Sequence, residues 1–96
     1  MTRDEVLRIL REHREDLTRL GVKSLALFGS AARDKAGEAS DVDLLVEFDR
    51  PVGLFEFIHV KELLERVLDC PVDLVTPDAL KRQLRDQILQ EAVHAL

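Results

Sequence analysis

Between Asp41 and Phe48 the side chains alternate in character. Val42, Leu44, Val46 and Phe48 fall on one face of an extended segment, and Asp41, Asp43, Leu45 and Glu47 on the other. A segment of this kind is a half-buried strand with acids along its second face, and it needs neighbouring strands and a cover on its apolar side. Two short runs supply the neighbours. Ser24-Leu25-Ala26-Leu27-Phe28 is apolar and bounded by Gly21 and Gly29, and Val72-Asp73-Leu74-Val75 follows Pro71.

The cover comes from segments of helical period. Thr2 followed by Glu5 is a capping-box pattern, and Val6, Leu7, Leu10, Leu17 and Leu20 recur at helical spacing, so a helix is expected over residues 3 to 20, ended by Gly21. Residues 31 to 39 read as a short helix or a turn with a polar loop. After the turn-rich Asp49-Arg50-Pro51-Val52-Gly53, the positions Leu54, Phe57, Ile58, Val60, Leu64, Val67 and Leu68 mark a second long helix. Thr76-Pro77-Asp78 has the form of an N-cap, a first-turn proline and a first-turn acid. A last helix is therefore expected from Pro77 to the C-terminus, with Leu80, Leu84, Ile88 and Ala92 on one face. The order αβ(α)βαβα specifies the α/β class, with helices packed on a short sheet. At 96 residues the chain fits one domain, residues 1–96, with no room for a second core.

Composition narrows the function. With 46% hydrophobic and 34% charged residues, a packed globular core is expected rather than disorder. The longest apolar stretches fall far short of the roughly 20 residues a membrane helix needs. Met1 to Glu5 lack the apolar core of a secretory signal, so a cytoplasmic location is expected. Cys70 is the only cysteine; it excludes an intramolecular disulfide, argues against a cysteine zinc site and reads as a small apolar filler. The net charge of -5 argues against nucleic acid held on a broad basic surface. The acids are concentrated after residue 40, where a cation could hold some of them together.

Gly29-Ser30 directly follows the first strand, and after ten intervening residues Asp41-Val42-Asp43 opens the second, giving G-S-x10-D-x-D. A glycine turn lets backbone N–H groups approach a phosphate chain, and the Ser30 hydroxyl can add a hydrogen bond. Asp41 and Asp43 point the same way from one strand, as a Mg²⁺ clip of carboxylates completed by substrate phosphates requires. Asp73 lies between apolar Val72 and Leu74, where an acid needs a reason. With the third strand beside the second in register, it could share the metal site or act as base towards an incoming hydroxyl. Other chemistries find no support. His13 sits on the first helix's apolar stripe and reads as a satisfied boundary residue. His59 and His94 have no metal-ligand spacing, Ser30 lacks the G-x-S-x-G turn of a hydrolase nucleophile, and neither a P-loop nor a dinucleotide-binding fingerprint occurs.

Phe28-Gly29-Ser30-Ala31-Ala32-Arg33 with Ser40-Asp41-Val42-Asp43-Leu44-Leu45-Val46 resembles the minimal nucleotidyltransferases of the DNA polymerase beta superfamily. Gly53-Leu54-Phe55-Glu56 and Pro71-Val72-Asp73-Leu74-Val75-Thr76 extend the resemblance to the MNT antitoxins encoded beside HEPN toxins. The resemblance implies a nucleotidyltransferase fold with a short mixed sheet. It also implies that Gly29, Ser30 and Arg33 hold the nucleotide phosphates and that Asp41, Asp43 and Asp73 are the metal-binding and catalytic acids. One departure is Asp34-Lys35 after Arg33, where glycine is expected. The implied activity is Mg²⁺-dependent transfer of AMP from ATP to a hydroxyl, a tyrosine, of a partner HEPN toxin, which silences it. In larger nucleotidyltransferases other domains recognise the acceptor; none is expected here, so the acceptor comes from outside. The rival reading is a binding module that neutralises its partner by contact alone. Transfer to RNA or to a small molecule is disfavoured by the acidic charge and the single domain.

Overall fold

The structure, a computed structural model, describes residues 2–29 and 42–96. The Thr2 hydroxyl accepts the Glu5 N–H at 3.2 Å and opens α1 (Arg3–Glu12), which buries Val6, Leu7 and Leu10. The expected single helix over residues 3 to 20 is in fact two. His13 leaves helical geometry at φ -105°, ψ 20°, and its ring Nδ1 donates to the Ile9 carbonyl at 2.9 Å, the acceptor that the His13 backbone N–H would use in a continuing helix. The chain resumes as α2 (Arg14–Arg19), which buries Leu17, and stops at Gly21, whose φ of 91° favours glycine.

The sheet follows. β1 (Val22–Phe28) runs antiparallel to β2 (Val42–Phe48), with Leu27 opposite Leu44 and Phe28 opposite Asp43. α3 (Leu54–Leu68) carries the chain back along the sheet and ends on Asp69 in the left-handed conformation. β3 (Val72–Val75) then lies parallel to β2. The last segment departs from expectation. Pro77–Ala79 form a single 3-10 turn, Leu80 and Lys81 are extended, α4 spans only Arg82–Glu91, and Val93–His94 form β4. The reason is tertiary: β1 has an outer edge to satisfy, and β4 pairs with it while Ala95 N–H donates to the Leu25 carbonyl at 2.8 Å. Pairing that edge outweighs the local helical preference, and no residue of α4 is buried. The four strands take the order β3-β2-β1-β4, a mixed sheet as expected.

One face of the sheet carries the core. Leu25, Leu27, Val42, Leu44, Val46, Val72 and Leu74 pack with Val6, Leu10, Leu17, Val60, Leu64 and Leu68 from α1, α2 and α3. Phe48 and Phe57 close one end, with ring centroids 6.4 Å apart. Cys70 packs against this core as a partly buried small residue. Ala26 and Leu45 are also buried but stand outside that cluster, on the second face, which they share by alternation with Asp43. Glu65 of α3 accepts the Val72 N–H at 3.1 Å and so ties the start of the edge strand to the helix. Among the described residues no helix is long and apolar enough to cross a membrane.

This packing separates load-bearing leucines from surface ones. Leu64→Ala, at a fully buried position, is expected to cost about 2–5 kcal/mol. Leu84→Ser, at a position 49% exposed in α4, is expected to stay within about 0.5 kcal/mol. Urea denaturation followed by circular dichroism separates the two; similar losses in both would mean that α4 is docked in the core.

Candidate active site at the ends of the central strands

The C-terminal end of β1 and the N-terminal ends of β2 and β3 meet at one end of the sheet. The cause is the pairing itself: β1 is antiparallel to β2, and β3 is parallel to it. At that end Asp43 has Phe28 as its partner on β1 and Asp73 as its partner on β3. Residues paired in register extend their side chains from the same face, on strands about 4.8 Å apart. The two sequence-predicted acids described in the structure are therefore neighbours, Asp43 half-buried and Asp73 exposed. Val72 and Leu74 set the direction of Asp73 by turning into the core on either side of it.

Gly29 completes this end. Its φ is +70°, in the left-handed region that favours glycine. A Cβ built on it would collide with the Asp43 carboxylate, meeting Oδ2 and standing 3.3 Å from Cγ. The first residue after β1 thus has to be glycine for two reasons, a backbone conformation and an aspartate lying against it. The sequence marked Gly29 as a turn open to a phosphate chain; the left-handed conformation and the carboxylate against it are visible only in the structure. Ser30, Arg33 and Asp41, the remaining predicted site residues, lie outside the described residues, as does the segment expected to form a short helix or turn at 31 to 39.

Two carboxylates on adjacent strands repel one another unless a cation or hydrogen bonds compensate them. Among the described residues no group of three or more potential metal ligands occurs, so the described part of the site is this pair. His59 and His94 are exposed on α3 and β4 and belong to no such group. A cavity of about 690 Å³ lies elsewhere, at the opposite end of the sheet, where Val46 to Val52 and Thr76 to Asp78 line it. There Arg50 grips Asp49 through two hydrogen bonds of 2.6 and 3.1 Å. This bond holds the exposed Asp49 carboxyl below its ordinary range and raises the Arg50 guanidinium.

Known proteins resemble this chain in sequence and in fold. Residues 8–94 match the nucleotidyltransferase domain. The protein adenylyltransferase MntA of Thermococcus cleftensis is 40% identical over 95 residues, 98% of this chain and 96% of that protein. A solved structure assigned as a minimal nucleotidyltransferase superposes with a TM-score of 0.84 at 39% identity, covering 97% of this chain and 95% of its own. The fold also recurs, at 19% identity and a TM-score of 0.64, in a structure of the tri-AMPylated Shewanella oneidensis HEPN toxin in complex with MNT antitoxin, covering 94% of this chain and 71% of that one. With the domain matched over most of its length and a relative this similar from end to end, the chain belongs to the nucleotidyltransferase domain family.

Proposed function

We propose that this chain transfers AMP from ATP to a hydroxyl, a tyrosine, of a HEPN-type toxin encoded beside it, and thereby acts as its antitoxin. The observation that carries the reading is Gly29 lying in a left-handed turn against Asp43, whose partner on the next strand is Asp73. Support comes from the relative that is a protein adenylyltransferase and from the similar fold of an MNT antitoxin seen with an AMPylated HEPN toxin.

The chemistry follows from the residues. Gly29, without a side chain, leaves its backbone open to a phosphate chain. Ser30 and Arg33 are assigned to the same phosphates on sequence grounds. Paired carboxylates suit a hard divalent cation, and Asp43 and Asp73, with Asp41 two residues before Asp43 in sequence, would hold Mg²⁺, which when bound offsets the charge of the triphosphate. Asp73 is the exposed member of the pair and so the better placed to accept the proton of an arriving hydroxyl. The acceptor oxygen forms its bond to the α-phosphorus as the bond to pyrophosphate breaks. Positioning and charge compensation supply most of the rate.

Four measurements test this. Calorimetry is expected to show ATP binding in Mg²⁺ and none in EDTA, because the triphosphate otherwise meets unscreened carboxylates; equal affinities would remove the metal clip. Asp43→Asn and Asp73→Asn should each lower AMP transfer by about 100-fold or more, and Asp73→Asn, at an exposed position beside a second carboxylate, should hold or raise the melting temperature. Gly29→Ala combines a left-handed alanine, costing about 1–2 kcal/mol, with displacement of the Asp43 carboxylate, so it should lose both stability and activity. Intact mass spectrometry of the partner after incubation with ATP and Mg²⁺ is expected to show added AMP units. A partner inhibited but unmodified would give the function to binding alone.

A further inference from the structure

The first turn of α3 carries an apolar stripe that the fold leaves uncovered. Leu54 is 70% exposed, Phe55 82% and Ile58 37%. Spaced three and four residues apart, they adjoin one another on the helix surface. The same helix buries Val60, Leu64 and Leu68, and at about 3.6 residues per turn Phe55 falls on the side opposite Leu64. Pro51 and Val52, immediately before the helix, line the cavity of about 690 Å³ at that end of the sheet, together with Val46 and Phe48. Large apolar side chains exposed side by side beside a cavity mark an interaction surface.

Charge selects the occupant. Glu47, Asp49 and Asp78 line the cavity, and Glu56 and Glu62 are exposed on α3. The cations on the same segments are Lys61, Arg66 and Arg50; Arg50 and Asp49 engage each other at 2.6 Å, which leaves Glu47, Glu56, Glu62 and Asp78 against Lys61 and Arg66. A second copy of this chain, docked through the same face about a two-fold axis, would bring together two faces of the same net negative charge. A partner with lysines or arginines around an apolar anchor is attracted by the excess of carboxylates. We infer that the Leu54-Phe55-Ile58 stripe and the adjoining acid-rimmed cavity form the docking surface for the protein acceptor, which seats an apolar side chain there flanked by basic residues. The identity of the occupant rests on the protein-acceptor reading above.

The test uses the full chain and the protein encoded beside it. Calorimetry at low and moderate salt and AMP-transfer kinetics are measured for wild type, for the double variant Leu54→Ser with Phe55→Ser, and for Glu56→Lys with Glu62→Lys. All these positions are exposed, and melting temperatures verify folding. The serine variant is expected to bind the acceptor about thirtyfold more weakly or worse, with a raised KM for acceptor and an unchanged kcat at saturation. The charge-reversed variant is expected to bind more weakly and to lose most of the salt dependence. ATP affinity should be the same in all three. Transfer by the serine variant with wild-type KM would overturn the docking surface and leave the enzymatic reading standing. Binding that the serine variant loses, without AMP transfer by wild type, would uphold the surface and overturn that reading. A wild-type dimer in sedimentation that the serine variant loses would assign the face to a second copy and overturn the inference.

Discussion

The parallel pairing of β2 with β3 is the constraint on which the site depends. It sets Val42, Asp43, Leu44 and Leu45 opposite Val72, Asp73, Leu74 and Val75. Side chains alternate between faces, so a slip of one residue would turn Asp73 into the core and Val72 and Leu74 out of it. Burial of those two apolar residues therefore fixes where the acid points. α3 secures the register from behind, packing Val60, Leu64 and Leu68 on the same core and holding the Val72 N–H with Glu65. The hydrophobic core and the acid pair are two faces of one ladder.

That ladder also accounts for local costs that packing alone would not select. Gly29 takes a conformation with little steric tolerance for any side chain, and Asp43 lies against it rather than out in solvent. Asp43 and Asp73 share one face. Such features persist where the surroundings determine them, here a central strand whose Leu44 and Val46 are wholly buried, and they gather where chemistry is done.

Much of this was legible in the sequence because period and punctuation agreed. Alternation at residues 42 to 48, the glycine after Phe28 and an aspartate between Val72 and Leu74 each marked a strand and its chemistry. The failures came where distant contacts overrode local pattern. Nothing in the spacing of Leu10 and Leu17 shows that the His13 ring will take the Ile9 carbonyl and split the helix. Nor does the stripe Leu80, Leu84 and Ile88 show that the C-terminus will pair with β1, since that edge exists only once the sheet has formed. The helical periodicity of α3 held the exposure of Phe55, which stands opposite Leu64. Counting apolar residues found the helix, but the angle between them was needed to find the surface.

Separation between the two ends of the sheet bears on the acceptor. Asp43 and Phe48 lie at opposite ends of β2, a span of about 16 Å at the rise of an extended strand. α3, with 15 residues, spans about 22 Å. Leu54 and Phe55 stand at the end of α3 that follows the cavity, far from the acids. A small molecule cannot touch both places at once, whereas a folded protein can rest on one and present a hydroxyl at the other. Binding energy gathered at a distance from the reacting atoms can then orient that hydroxyl without crowding the phosphates. A fold this small, with the Asp43 and Asp73 pair at one end and the exposed Leu54 and Phe55 at the other, suits an acceptor that brings its own bulk.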